Sequence, residues 1–186
     1  MNDLICNQTR IPRDQWRYGL RSSAATGCGW IATYNALRLM GYYAQPEALI
    51  RYYECSIPLY NGNFGTFVLS PAVFFRQQGF QVQTCTKRRE FDALAAAADA
   101  CILFYGWHAK HRFGIHFVAL HRKDDVFVGY NTFRNSDGPD VYGESLEAFL
   151  KRHQYFHPVL FAVHKPAGRA SGGSSLTPMS PPEKIP

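Results

Sequence analysis

The stretch Thr26-Gly27-Cys28-Gly29-Trp30 begins a segment whose apolar side chains recur at roughly helical spacing. The recurring side chains are those of Trp30, Ile31, Tyr34 and Leu37. Gly41 follows them and is a typical helix stop. The pattern therefore predicts a helix over about residues 28–40, with Cys28 in its first turn.

A cysteine in the first turn of a helix is well placed to become a nucleophile. Unpaired backbone N–H groups and the helix dipole favour the thiolate there. Gly27 and Gly29 carry no side chains that would block the sulfur, and Gly27 can adopt tight-turn dihedrals. We therefore predict that Cys28 is a catalytic nucleophile with a lowered pKa. The alternative is a small buried packing residue, since free cysteine is often buried.

Outside this helix, the apolar patterns predict four more helices and five strands. The helices lie at about residues 46–54, 71–78, 91–98 and 145–152. The strands lie at about residues 80–85, 101–105, 114–120, 126–131 and 159–163. Helices that come first and antiparallel strands that follow favour an α+β domain.

His116 lies near the start of the predicted strand 114–120 and is the candidate general base. Lys123-Asp124-Asp125 is a turn signal, and the segment 126–131 predicts the next strand. These two strands are expected to form an antiparallel hairpin.

A four-residue loop from Arg122 to Asp125 would set His116 directly opposite Asn131 in this hairpin. Side chains opposite one another in an antiparallel pair lie on the same face. The side-chain carbonyl of Asn131 would then accept the imidazole N–H, whereas a one-residue slip would turn Asn131 to the other face.

Cys28, His116 and Asn131 occur in the order nucleophile, base and orienting residue, which resembles the papain-like cysteine peptidases. Within that superfamily the chain is most similar to the bacteriocin-processing peptidases that cleave double-glycine leaders. The shared features are a Cys-Gly pair opening a long helix, further helices, a Gly-x-His strand and an Asn or Asp strand. The resemblance covers roughly residues 15–165. It implies a helical N-terminal part packed on a C-terminal antiparallel sheet, and cleavage of a peptide amide bond.

The chain departs from this family at the position of one oxyanion donor. Relatives usually carry a Gln about six residues before the nucleophile, where this chain has Ser22. Ser22 or Gln15 is the candidate substitute, together with the backbone N–H of Cys28. Losing one such donor typically costs about 10²- to 10³-fold in rate. Two alternatives therefore stay open: a related deamidase or transglutaminase-like enzyme, and a catalytically decayed binding or effector module.

The expected substrate is a peptide or protein with small residues at the cut. Trp30 and Trp107 are the candidates for side chains that narrow the cleft. The segment Lys110-His111-Arg112 is a candidate for receiving an acidic substrate group.

No cofactor or metal is predicted. His108, His111 and His116 lie close in sequence, but their spacing fits no common zinc signature. Net charge is +6, yet the basic run Lys87-Arg88-Arg89 is followed by acidic residues, and no nucleic-acid-binding motif accompanies it. We therefore predict no nucleic-acid partner.

The length of 186 residues, 46% of them hydrophobic, suits one folded domain over residues 1–165. Residues 166–186 are rich in Gly, Ser and Pro and predict a disordered tail that is a candidate for binding a partner protein. Five cysteines without paired spacing favour a reducing compartment. The apolar run Leu4-Ile5-Cys6 is too short for a signal peptide, and no segment is apolar enough to span a membrane. A cytoplasmic protein is expected.

Overall fold

The computed structural model describes residues 4–55, 65–109 and 112–166. The helices in these ranges are α1 (Ser23–Thr26), α2 (Cys28–Leu39), α3 (Pro46–Cys55), α4 (Ser70–Gln77), α5 (Phe91–Ala97) and α6 (Leu146–Arg152). The strands are β1 (Arg17–Tyr18), β2 (Arg21–Ser22), β3 (Gln81–Cys85), β4 (Ala100–Ala109), β5 (Arg112–Lys123), β6 (Val126–Tyr130), β7 (Asp140–Gly143) and β8 (Phe156–His164). The predicted α+β class is confirmed.

Six of the strands form one antiparallel sheet in the order β3-β8-β4-β5-β6-β7, and β1 and β2 pair separately. Apolar side chains cover both faces of the large sheet, because alternate residues of each strand point to opposite faces. Phe117 and Ala119 of β5 pack in a core with α2, α3 and α4. Val118 and Leu120 of the same strand pack in a second core with α5 and α6.

Helix α2 begins at Cys28, as predicted, because Gly27 separates it from the short α1. A Cβ atom on Gly27 would lie 2.6 Å from the Ser23 carbonyl oxygen and 2.7 Å from Nε1 of Trp30. Glycine at 27 therefore permits a close approach of backbone and indole that no other residue allows. At Gly29, the space that a side chain would fill is taken by Thr66 and not left open beside the sulfur.

The β5–β6 hairpin turns in two residues, Asp124 and Asp125, with φ of 47° and 64°. Two successive residues of positive φ are typical of the type I′ turn that suits the twist of a hairpin. The predicted four-residue loop is therefore wrong. Because the register differs by two residues and not by one, the side-chain faces are preserved.

Pairing between β5 and β6 ends at Ala119 opposite Tyr130. Asn131 follows the last paired residue and has φ of 65°. It does not lie directly opposite His116, so the predicted cross-strand pair is wrong. Asn131 instead begins the segment that leads from β6 to β7.

Strand β7 and the small β1–β2 ribbon were not expected from the apolar pattern, since their strands have only two to four residues. Of the predicted tail 166–186, only Pro166 lies within the described residues. No helix in the described part of the chain is long and apolar enough to cross a membrane.

Candidate active site

A cavity of about 280 Å³ lies where the start of α2 meets β5 and the segment after β6. Cys28, His116 and Asn131 all line it. The fold thus brings together the three residues predicted from their order in the sequence. The first of them comes from a helix, the second from a strand and the third from a connecting segment.

The sulfur of Cys28 lies near β5, close enough to the backbone N–H of Phe117 for that group to favour the thiolate. The backbone N–H groups of Gly29 and of Cys28 itself act in the same direction. Phe117 directly follows His116, so this arrangement brings the thiol close to the strand residue that carries the imidazole. Pairing with β6 ends before this point, which leaves that edge of β5 open to the thiol.

Burial raises the pKa of the Cys28 thiol to about 11, although the N–H donors act in the opposite direction. The predicted lowering of this pKa is therefore wrong. The helix terminus lies beneath the sheet, and loss of solvation outweighs the stabilisation of a thiolate by backbone dipoles. Cys28 is therefore a neutral thiol at neutral pH.

The imidazole of His116 is fixed by one short hydrogen bond. Its Nε2 lies 2.6 Å from the backbone carbonyl oxygen of Asn131. A carbonyl oxygen can only accept, so Nε2 carries the proton and Nδ1 of the neutral ring keeps a free lone pair. Tyr105, opposite His116 in β4, meets the ring edge-on with centroids 5.9 Å apart.

Burial lowers the pKa of His116, and the positive charge of Arg134 lowers it further. The hydrogen bond to Asn131 acts in the opposite direction but does not outweigh burial. The ring is therefore neutral at neutral pH, in the form that can accept a proton.

Asn131 orients the imidazole through its backbone and not through its side chain, contrary to the prediction. Asparagine tolerates the left-handed conformation better than most residues. The side chain is used elsewhere: Oδ1 accepts from the backbone N–H of Gln8 at 2.7 Å, and Nδ2 donates to Oε1 of Gln8 at 2.9 Å. This pair of hydrogen bonds fixes the carbonyl that holds His116.

Gln8 lines the cavity and was missed in the sequence. Its Nε2 donates to the carbonyl oxygen of Ala24 in α1 at 3.2 Å. Gln8 therefore joins the Asn131 segment to the turn of helix that leads into Cys28. No local pattern marks it, because every partner is distant in sequence.

The two residues proposed as oxyanion donors do not line this cavity. Ser22 ends β2 and caps α1 without a side-chain hydrogen bond. Gln15 is exposed and lines a different surface pocket, together with Trp16 and Glu47. Neither side chain therefore lies at the cavity, and both predictions are wrong in geometry.

The two predicted cleft tryptophans have different environments. Trp30 is fully buried, its Nε1 donates to Oγ of Ser23 at 3.0 Å, and it belongs to the core. Its predicted role in the cleft is wrong. Trp107 is half-buried and lines the cavity, where its ring covers Gly114.

No group of three or more His, Cys, Asp or Glu side chains within the described ranges is placed to hold a metal ion. His108 packs near the ring of Phe156, with centroids 5.0 Å apart. Lys110 and His111 of the predicted basic patch lie outside the described residues.

No protein-family model matches the chain, and no curated protein sequence matches it either. Any assignment of function therefore depends on the geometry of this cavity.

Proposed function

We propose that this chain is a papain-like cysteine peptidase in which Cys28 is the nucleophile and His116 the general base. The observation that carries the proposal is the hydrogen bonding of His116 and the position of its ring in the cavity. Its Nε2 is committed to the Asn131 carbonyl, while the ring lines the same cavity as the thiol. A neutral imidazole with one free nitrogen, in the same cavity as a cysteine, suits nucleophilic catalysis.

The directions of the two pKa shifts indicate how the reaction begins. Thiol and imidazole are both neutral at rest, because burial raises the pKa of Cys28 and lowers that of His116. His116 therefore takes the thiol proton as the sulfur attacks the substrate carbonyl carbon. The new carbon–sulfur bond forms as the carbonyl π electrons move to oxygen.

The resulting imidazolium then protonates the leaving amine, and the carbon–nitrogen bond breaks to give a thioester. Water, deprotonated by the neutral His116, hydrolyses the thioester and restores the thiol. The Asn131 carbonyl accepts from Nε2 throughout, so it stabilises the ring when the ring is charged.

Gln8 is our candidate for the oxyanion donor, in place of Ser22 and Gln15. The side-chain amide of Gln8 has two N–H groups, of which one suffices for the hydrogen bond to Ala24. The second is available to the cavity. Together with the backbone N–H of Cys28, it would provide two donors for a developing oxyanion.

The need for a reduced thiol also bears on the cellular compartment of the protein. All five cysteines of the chain are free thiols. A site that depends on a reduced sulfur suits a reducing compartment, and we propose the cytoplasm.

One observation favours a second candidate, the catalytically decayed binding module. The Cys28 residue is only 8% exposed, and its thiol has a raised pKa. A buried neutral thiol is also what a packing residue would show.

Peptide digestion decides between these candidates. We expect the purified protein to cleave members of a mixed peptide library, detected by mass spectrometry, and expect Cys28→Ala and His116→Ala to abolish cleavage. Cys55→Ser is the matched control, because Cys55 is an exposed thiol outside the cavity. Glutamine deamidation without cleavage would support the related acyl-transfer enzyme, and no product at all would support the decayed module.

A further inference from the structure

Arg134 is the sole Asp, Glu, Lys or Arg among the described residues that line the Cys28 cavity. The other lining residues are neutral polar, aromatic or aliphatic. Arg134 is exposed and lines this cavity. A cavity with one cation and no carboxylate favours an anionic ligand.

The backbone of Arg134 is held in place. Its carbonyl oxygen accepts from Nδ2 of Asn7 at 2.7 Å and from Oγ1 of Thr9 at 3.3 Å. Both donors come from the N-terminal segment that also carries Gln8. The base of the side chain is therefore fixed relative to the catalytic residues, although the guanidinium itself is exposed.

The nearest acidic residues in sequence do not neutralise this guanidinium. Asp137 forms an ion pair with Arg10, and Asp140 accepts from Oγ of Ser136 at 2.7 Å. Within the described ranges, no hydrogen bond or ion pair is formed by the Arg134 guanidinium. Its charge nevertheless reaches the site, since it contributes to lowering the pKa of His116.

We propose that Arg134 makes this site selective for substrates that carry a carboxylate close to the bond that is cut. The inference deepens the proposed function and rests on it for the position of that bond. Guanidinium binds carboxylate through two parallel hydrogen bonds, which gives orientation as well as attraction. The carboxylate is either an Asp or Glu side chain or the C-terminal group of a peptide.

Alkylation of Cys28 tests the selectivity without requiring peptidase activity. Iodoacetate and iodoacetamide are similar in size and differ in charge, so the ratio of their rate constants reports the charge preference of the cavity. We would measure both at about pH 8.5, near the pKa of ordinary free cysteine, by mass spectrometry of the Cys28 peptide.

Arg134→Gln should lower the iodoacetate-to-iodoacetamide ratio about two- to fivefold, the range expected of an exposed ion pair. Arg134→Glu should lower it further, and Arg134→Lys should keep most of it. Arg122→Gln is the matched control, because Arg122 pairs with Asp125 at the far end of β5. A ratio unchanged in Arg134→Gln would overturn the inference, and a Cys28 that neither reagent modifies would overturn both proposals.

Matched peptides then identify the source of the carboxylate. One pair has Glu or Gln next to the bond cut in the library experiment, and another ends in a free carboxylate or an amide. We expect the acidic member of one pair to have the higher kcat/KM, and Arg134→Glu to reverse that preference. Equal kcat/KM within both pairs, with cleavage intact, would overturn the selectivity and leave the peptidase standing. An alkylation ratio that depends on Arg134, without any peptide cleavage, would overturn the peptidase and leave the preference of the cavity for anions standing.

Discussion

The backbone carbonyl oxygen of Asn131 lies 2.6 Å from Nε2 of His116, so Asn131 orients the imidazole without using its side chain. The carbonyl points at the ring because Asn131 has φ of 65°. The side-chain amide then locks this conformation by exchanging two hydrogen bonds with Gln8. Backbone conformation at this one residue therefore determines the position of the proposed base.

This relationship predicts an unusual order of activities for variants of Asn131. Asn131→Gly keeps the left-handed backbone at no steric cost, whereas Asn131→Ala adds about 1–2 kcal/mol of strain. We expect Asn131→Gly to retain more kcat/KM than Asn131→Ala, although both lose the amide. The measurement is kcat/KM with a peptide from the library experiment, beside the free energy of unfolding. If the side chain oriented His116, the two variants would be equally impaired.

The pH dependence of kcat/KM should reflect a neutral starting pair. Catalysis requires unprotonated His116, whose pKa lies below its ordinary value of 6.5. Activity is therefore lost only as pH falls below 6.5, through the lowered pKa. Burial and Arg134 cause this shift, so removal of the Arg134 charge should move the acid limb to higher pH.

A pH profile of kcat/KM for the unaltered protein and for Arg134→Gln checks this prediction. Arg122→Gln is the control for a lost surface charge and should leave the limb in place. An acid limb above pH 6.5 in the unaltered protein would contradict the assignment of a buried neutral base.

The glycine before the nucleophile should tolerate no side chain. Gly27→Ala would place a Cβ atom 2.6 Å from the Ser23 carbonyl oxygen, and overpacking of this kind costs about 1–3 kcal/mol. Gly138→Ala is the matched control, since a Cβ there meets nothing within 4 Å. Urea unfolding of both variants measures the difference. Equal stability of the two would show that the Gly27 backbone can shift away from Ser23.

Local patterns were sufficient to predict the elements that carry Cys28 and His116. The predicted helix 28–40 matches α2, whose residues 28–37 are all buried. The predicted strand 114–120 lies inside β5, where residues 117–120 are buried. Both signals come from residues adjacent in sequence, so no knowledge of the tertiary structure was needed.

Register and long-range polar contacts could not be predicted in this way. The hairpin loop was misjudged because Asp124 and Asp125 both adopt positive φ, which non-glycine residues seldom do. The prediction of a lowered pKa for Cys28 is wrong because the sequence predicts the helix and its dipole but does not predict burial of the thiol under the sheet. Gln8 was missed because its contacts with Ala24 and Asn131 exist only in the folded chain.

Gln8 gives the sharpest test of the proposed catalytic site, because it is expected both to hold Asn131 and to donate to the oxyanion. Gln8→Ala should lower kcat by about 10²- to 10³-fold, the usual effect of losing one oxyanion donor. Gln8→Glu keeps an acceptor for Nδ2 of Asn131 but has no amide N–H, so it should also lose kcat. Gln15→Ala is the matched control and should be fully active, since Gln15 lines a different pocket.

The split between kcat and KM separates the two roles of Gln8. A donor that acts on the oxyanion stabilises only the transition state, so its loss lowers kcat and leaves KM nearly unchanged. If Gln8 only positions Asn131, replacing Gln8 would also move the acid limb of the kcat/KM pH profile, because the carbonyl that holds His116 would shift. Gln8→Glu with normal kcat would contradict the donor role, and the backbone N–H of Cys28 would then be the only donor still assigned to the oxyanion.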